Sequence, residues 1–183
     1  MPNRYYLIEI PSSDAREREG ATGPRLEGSC EISRVDVAPA YERNQIVNRS
    51  GSHEISYYRY HLWAMRPSVS VKELILRDFE LSETFSAVSE RFSLSIPDYL
   101  FMTRIDQLEI LEDKNRFSAH LHVRFTLLRN PSQEVILKHE AEQIVPLAEK
   151  DLNLFAGAIS RILLEELQVF RKKLAESIVN QDD

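Results

Sequence analysis

The feature that most constrains the fold is the strict alternation of apolar and polar residues from Phe117 to Leu127. Successive side chains of a β-strand point to opposite faces of the sheet, so this pattern predicts a strand with one buried face. Short polar turns separate it from two neighbouring strand-like segments, which favours antiparallel pairing. The turns fall at 112–115 and 130–132, and the neighbouring strands at 99–111 and 135–141. We therefore predict a three-stranded antiparallel meander.

Two segments carry apolar residues at helical spacing. The first follows Pro67 and spans 71–81, with Ser68 or Ser70 as the N-cap and a core stripe of Val71, Leu74, Ile75 and Phe79. The second spans 152–179 and is capped at Asp151. Its apolar face consists of Leu152, Phe155, Ile159, Ile162, Leu163, Phe170, Leu174 and Ile178. A helix this long reaches roughly 40 Å, so its last turns are expected to overhang the domain or meet a partner.

The first half of the chain is rich in strand-forming residues and broken by turns. We predict a polar surface loop over 11–27 and a single domain over 1–183. The predicted strands are 5–10, 30–37, 45–49, 55–63 and a short one within 84–92. Together with the meander and the helices, they indicate an α/β fold with a mixed β-sheet.

Composition excludes several classes of function. The net charge of −6 argues against a nucleic-acid partner, because phosphate binding requires a basic surface. No apolar run approaches the roughly 20 residues that span a bilayer. The single cysteine, Cys30, cannot form an intramolecular disulfide, and we predict that it is buried in a strand.

No recognisable catalytic pattern is present. The serines lack a nucleophile-elbow sequence, and the five glycines form no phosphate-binding loop. Residues 52–54 read Ser-His-Glu, but neighbours in a turn cannot form a triad by adjacency. We therefore predict that the protein is not an enzyme and uses no cofactor.

The weak candidate for a metal site is a pair of histidines, His120 and His122, which share one face of a strand. His139 could supply a third ligand if the register of the next strand brings it near. The alternative is that both histidines face solvent beside Ser118, Arg124 and Thr126, while Phe117, Leu121, Val123 and Phe125 face the core.

An aromatic cluster in the 55–63 strand has two possible roles. Alternation directs either Tyr57 and Trp63, or Tyr58, Tyr60 and Leu62, toward the core, which leaves the other set nearer the surface. Aromatic side chains are favoured both in cores and at protein interfaces. The cluster therefore predicts core packing, with a contact surface as the alternative.

Several segments together resemble the ABC-type transport auxiliary lipoproteins, which are periplasmic partners of MCE-domain (mammalian cell entry) lipid transport systems. They are a Tyr-Tyr-Leu opening strand at 5–7, the segments 35–41 and 45–49, and the run 60–67 that leads into a helix. Within the central motif the matching residues are Tyr41, Gln45, Ile46, Arg49 and Trp63. The resemblance extends over nearly the whole chain, and the order of elements carries as much weight as any residue.

The resemblance implies an α/β domain similar to the anticodon-binding-like folds, without catalytic residues. It also implies a periplasmic protein held to a membrane by a lipidated N-terminal cysteine. Met1-Pro2-Asn3 leads directly into the first strand, so we expect the chain to be the trimmed mature domain, and the alternative is a member of the family without the anchor. The motif residues are expected either to hold the crossover between two strands or to form a contact surface.

Three functions follow as hypotheses. The first is a non-catalytic accessory subunit of a lipid or organic-solvent transport system, which binds an MCE-domain protein and forms a homo-oligomer. The second is a lipid or small-molecule carrier with an apolar pocket of roughly 300–1,000 Å³ between sheet and helix. The third is a metalloenzyme built on the three histidines.

Overall fold

The computed structural model describes residues 2–13, 15 and 25–179, with only the backbone of Ile178 and Val179. Within these residues the chain forms eight strands and two long helices. The strands are β1 (Arg4–Tyr6), β2 (Leu26–Val37), β3 (Gln45–Ser50), β4 (Ile55–Trp63), β5 (Phe85–Ser89), β6 (Tyr99–Asp113), β7 (Arg116–Arg129) and β8 (Val135–Leu147). The helices are α1 (Pro67–Leu81), after β4, and α2 (Leu152–Val179), after β8.

The predicted meander is confirmed. β6 and β7 pair antiparallel along their whole length, from Tyr99 opposite Arg129 to Asp113 opposite Arg116, and β8 pairs with the other edge of β7. β8 continues to Leu147, beyond the predicted end at residue 141. Its last residues include Pro146, which an edge strand tolerates, and within the part of the chain that the structure describes β8 pairs with β7 alone.

The sheet is mixed, as predicted, because β6 has three neighbours. β2 pairs in parallel with the first half of β6, and β3 pairs in parallel with its last residues. β5 extends the sheet beyond β2, and β4 and β1 extend it beyond β3. A single strand thus joins both halves of the chain into one α/β domain.

Aromatic rings fill the interior between the sheet and the helices. The Phe101 ring lies 4.9 Å from that of Phe79 on α1, 5.5 Å from Phe125 on β7 and 5.2 Å from Phe170 on α2, measured between centroids. The predicted core stripe of α1 is buried, as are the predicted α2 residues from Leu152 to Leu174. α2 is therefore packed as far as Leu174, and the side chain of Ile178 lies outside the described residues.

Two predictions at the N-terminus need correction. β1 ends at Tyr6 rather than at residue 10, since the Glu9 backbone N–H donates to Ser160 Oγ of α2 instead of joining the sheet. β2 begins at Leu26, inside the predicted loop 11–27, because Leu26 pairs with Phe85 of β5. Residues 14 and 16–24 of that loop lie outside the described residues. Cys30 is fully buried in β2, as predicted.

The predicted serine cap of α1 is wrong. The helix begins at Pro67, and its N-cap Arg66 makes no side-chain capping bond. A proline at this position lacks the N–H that a cap would satisfy. Instead, the Glu42 carboxylate accepts hydrogen bonds from the Ser68 backbone N–H (3.2 Å) and hydroxyl (2.6 Å). A carboxylate from another segment thus caps this helix, where the helix dipole favours negative charge.

The predicted cap of α2 allows a direct test. Asp151 Oδ1 accepts hydrogen bonds from the backbone N–H groups of Asn153 (2.6 Å) and Leu154 (3.2 Å). We expect Asp151→Ala to lower the free energy of unfolding by about 1 kcal/mol, because two amides lose their acceptor. Asp151→Asn keeps a capping oxygen and serves as the control. Urea denaturation compares the variants, and equal losses in both would contradict a capping role.

Candidate functional site

A buried carboxylate lies at the centre of the most unusual cluster of polar side chains. Glu109 sits in the middle of β6, opposite His120 of β7, and is 0% exposed. A register shift between Ile105 and Gln107 precedes it on β6. Charged residues are almost never fully buried unless they are paired, so the surroundings of Glu109 must compensate its charge.

Three side chains donate hydrogen bonds to this carboxylate or share a proton with it. The Tyr41 hydroxyl donates to Glu109 Oε2 at 2.7 Å, and Arg49 Nε donates to Oε1 at 2.8 Å. A second Arg49 nitrogen donates to the Tyr41 hydroxyl at 2.9 Å, which closes a ring of bonds. His120 Nδ1 lies 3.1 Å from Glu109 Oε1. We call Tyr41, Arg49, Glu109 and His120 the Glu109 cluster.

His120 links this cluster to the edge of the sheet. Its Nε2 atom lies 2.9 Å from Glu142 Oε1 on β8, so one imidazole bridges two carboxylates. The expectation that His120 faces solvent is wrong, since only 7% of the residue is exposed. Alternation correctly placed His120 on the face of β7 that points away from the helices. The 38–44 turn brings Tyr41 to this face, and the part of it around His120 is therefore buried.

The hydrogen bonds shift the pKa values in a consistent direction. Burial would raise the pKa of Glu109, but the bonds from His120, Arg49 and Tyr41 outweigh it and lower that pKa. Burial would lower the pKa of His120, but its two carboxylate partners raise it. Burial and the bond to Glu109 raise the pKa of Tyr41 to about 12. The stable state is therefore a carboxylate with a guanidinium and an intact phenol.

This arrangement connects several strands and a turn. The Glu109 cluster joins the 38–44 turn with β3, β6 and β7, and His120 adds β8. Every Glu109 oxygen is occupied by a donor. The cavities lined by Lys150 and by Lys72 contain no member of the cluster. The Glu109 carboxylate is fully buried and is used to hold these segments together.

The structure brings together two of the five motif residues, Tyr41 and Arg49. Ile46 and Trp63 lie in the core, where the Trp63 ring contacts Phe155 of α2 at 5.7 Å between centroids. Gln45 is exposed at the start of β3. The motif thus contributes polar contacts on one face of the sheet, through Tyr41 and Arg49, and core packing on the other face, through Ile46 and Trp63.

The three histidines do not converge. His122 Nδ1 lies 2.9 Å from Gln107 Oε1 and Nε2 lies 2.8 Å from Glu140 Oε1. His139 pairs with Phe125, so it faces α2, where its Nε2 lies 2.6 Å from Glu166 Oε2. Among the described residues no group of three or more His, Cys, Asp or Glu side chains is arranged to hold a metal ion.

The aromatic cluster does not follow either predicted alternation. A register shift in the β3–β4 pair separates Tyr57 from Leu62, so residues of one parity do not share an environment. Trp63 is buried, whereas Tyr57 is exposed and stacks under the Arg43 guanidinium at 4.0 Å.

The pKa shifts predict how the stability of the Glu109 cluster depends on pH. A lowered pKa, as at Glu109, contributes stability that is full above the unfolded value of 4.5 and is lost as the pH falls through the folded value. A raised pKa, as at His120, contributes stability that is full below 6.5 and is lost as the pH rises through the folded value. The cluster therefore contributes most between these two values.

We expect His120→Gln to remove the part of this dependence that appears above pH 6.5. The measurement is the free energy of unfolding of wild type and variant from acid to mildly alkaline pH. The control is His53→Gln, which changes an exposed histidine. A stability difference between wild type and His120→Gln that stays constant across this range would contradict the assignment.

Glu109 and Glu142 were not identified from the sequence. One signal was available for Glu109, since it interrupts the apolar run Leu108-Glu109-Ile110-Leu111 with a charge. No comparable signal marks Glu142, because its role depends on the register of β8 against β7.

Comparison with known proteins gives a consistent result. A family model described as "ABC-type transport auxiliary lipoprotein component" matches residues 6–168. No curated protein matches the sequence. Among solved structures, protein XCC0632 from Xanthomonas campestris has a similar fold, with a TM-score of 0.73, 18% identity and 98% of each chain covered.

A second similar structure, of an uncharacterized protein, has a TM-score of 0.71 at 10% identity, over 94% of this chain and 99% of the other. The hypothetical protein CT253 from Chlamydia trachomatis has a TM-score of 0.51 at 10% identity, over 80% of this chain and 98% of its own. At these identities the likeness shows the fold alone.

Proposed function

Because the chain belongs to the ABC-type transport auxiliary lipoprotein component family, we propose that it is a non-catalytic subunit of a lipid or organic-solvent transport system. In this proposal it acts by binding an MCE-domain protein of that system. It functions in the periplasm, held to a membrane through a lipidated cysteine, and assembles as a homo-oligomer. The neutralised Glu109 cluster supports a role without catalysis.

The observation that carries the proposal is an exposed apolar loop between β5 and β6. Leu94 is fully exposed and Ile96 is 76% exposed, the two most exposed large apolar side chains of the described residues. We call residues 92–97 the 92–97 loop. Exposed apolar side chains that lie close together in the chain are a feature of protein interaction sites.

Hydrogen bonds hold both ends of the 92–97 loop. The Phe92 backbone N–H donates to Glu31 Oε2 at 3.3 Å, and Asn130 Nδ2 donates to the Pro97 carbonyl at 2.9 Å. Fixed ends reduce the entropy that the loop loses on binding, which favours an interaction through its apolar residues.

The charges near the loop favour a protein over a membrane as its partner. Glu90, Arg91 and Asp98 flank it, so there is no excess of positive charge. Attachment to an anionic lipid surface relies on such an excess.

Among the described residues, no helix has the length and apolarity to cross a bilayer.

The test is direct binding of the purified protein to an MCE-domain protein of the same transport system. Burial of Leu94 and Ile96 contributes roughly 1.5–3 kcal/mol each, so the double variant Leu94→Ser/Ile96→Ser should bind at least about 100-fold more weakly. The matched control is Val69→Ser/Val169→Ser, which changes exposed apolar residues of α1 and α2.

Two outcomes would count against the proposal. Absence of binding by the wild-type protein would contradict the proposed partner. Equal binding by both double variants would retain the partner but place the contact outside the 92–97 loop.

The carrier hypothesis is not favoured. It requires an apolar pocket between sheet and helices, and the centre of that space is filled by Phe79, Phe101, Phe125 and Phe170. The metalloenzyme hypothesis requires three converging histidines, whereas His139 lies on the opposite face from His120.

A further inference from the structure

An open groove follows the first half of α2, between this helix, the end of β8 and Pro11. Its volume is about 450 Å³, within the roughly 300–1,000 Å³ that small-ligand sites occupy. We call it the α2 groove. Most of its lining is apolar, namely Pro11, Pro146, Leu147, Ala148, Leu154, Gly157, Ala158 and Leu164, and the rest is Asn153 and Arg161. From Asn153 to Leu164 the helix rises roughly 16 Å, so the groove suits a long and narrow ligand.

The residues of the α2 groove are accessible from solvent. Leu154 is 41% exposed, and Gly157, one helical turn further on, is exposed as well. Within the part of the chain that the structure describes, a Cβ atom placed on Gly157 would meet no neighbouring side chain within 4 Å. The missing side chain of Gly157 therefore leaves open space above the helix, where a ligand can lie against apolar surface.

Arg161 is the charged side chain of the described groove lining. Its Nε atom lies 4.0 Å from Glu165 Oε1, and 61% and 62% of the two side chains are exposed. This separation is too long for a hydrogen bond, and an exposed ion pair of this kind contributes little. The Arg161 guanidinium is therefore available to an anion at one end of an apolar groove.

The groove favours an alkyl chain over a peptide. A peptide would bring backbone N–H and C=O groups, which require hydrogen-bond partners when they are buried. The described lining offers polar side chains at Asn153 and Arg161, and the backbone groups within α2 are bonded to the helix itself. An alkyl chain has no such groups, and it gains free energy from leaving water.

We propose that the α2 groove binds a fatty acid. The alkyl chain lies along Leu154 and Gly157, and the carboxylate pairs with Arg161. The proposal does not depend on an MCE-domain partner, because it concerns a ligand of the isolated protein. It also differs from the carrier hypothesis, since the groove is open to solvent and does not lie between the sheet and the helices.

The test uses single-chain probes below their micelle concentrations. Hexanoate, octanoate and decanoate are titrated into the ¹⁵N-labelled protein, followed by NMR. Saturable shifts are expected at residues 147–148 and 153–164, and each added methylene should tighten binding about two- to fourfold. Decanol has the same chain as decanoate without the charge, so it should bind about two- to fivefold more weakly. Decylammonium, with the opposite charge, should bind more weakly still.

Gly157→Leu tests the place of the alkyl chain. The new side chain fills the groove, so decanoate binding at these residues should be lost. Tm should not fall, because leucine favours a helix more than glycine does. The matched control is Gln168→Leu, which adds the same side chain to an exposed position of α2 outside the groove and should leave binding unchanged.

Arg161→Gln tests the place of the carboxylate. The variant should bind decanoate only as well as decanol and should leave the affinity for decanol unchanged. Lys172→Gln removes an exposed positive charge of α2 outside the groove, so it is the matched control and should leave both affinities unchanged.

Four results would overturn the proposal. The first is no saturable shift from decanoate up to roughly 10 mM. The second is decanoate binding by Gly157→Leu that equals binding by wild type. The third is binding of decylammonium at least as tight as that of decanoate, which would exclude Arg161 as the determinant. The fourth is a shift of the groove residues when the free protein is diluted, which would assign the groove to a second copy of the chain.

Discussion

Arg49→Met should lower the free energy of unfolding by about 3–5 kcal/mol, because it leaves the Glu109 carboxylate buried without its guanidinium. Arg49 is itself partly exposed, with 25% of its side chain accessible, whereas the Glu109 side chain is fully buried. Removing the arginine therefore leaves the more deeply buried of the two charges, that of Glu109, without its ion-pair partner. The measurement is chemical denaturation near pH 7, with circular dichroism as the probe of folding.

Two further variants make this test specific. Arg124 also pairs with a carboxylate, Glu140, but both side chains are exposed, so Arg124→Met should change stability little. The double variant Arg49→Met/Glu109→Leu removes both charges and should recover much of the lost stability. If Arg49→Met and Arg124→Met were equally mild, the Glu109 cluster would not hold these strands together.

Phe101→Ala should lower the free energy of unfolding by about 3–5 kcal/mol, because it leaves a cavity in the core. Phe101 contacts rings from α1, β7 and α2, so none of these elements can close the space alone. The loss is a large part of the roughly 5–15 kcal/mol by which domains are stable. Thermal and urea denaturation measure it.

Leu94→Ala is the control for this core variant. It also shortens a large apolar side chain, but one that is fully exposed, so stability should stay within about 0.5 kcal/mol of wild type. A loss from Phe101→Ala as small as that from Leu94→Ala would show that the core relaxes around the deletion.

Local sequence patterns predicted the helices and strands well, because the spacing of apolar residues and the residues that form turns act over only a few positions of the chain. The alternation at 117–127 and the apolar stripes of both helices gave the correct elements and the correct core faces. The α1 cap failed because its acceptor, Glu42, is far away in sequence. The early end of β1 has a similar cause, since Ser160 of α2 takes the Glu9 amide.

The candidate site was predicted only in part, and the reason is again distance along the chain. Tyr41 and Arg49 were singled out by the family motif, without a partner or a role. Glu109 and Glu142 depend on the pairing of β6, β7 and β8, which no local pattern specifies to the residue.

The central position of β6 has a consequence for how the chain folds. Among the described strands, β2 pairs with β5 and β6, and β3 pairs with β4 and β6, so both strands lack a partner until residues 99–113 are available. Pairings over such sequence separations are slow to form, and strands without partners are prone to aggregate in the meantime. The early strands are therefore most prone to aggregate in states in which β6 has not yet paired.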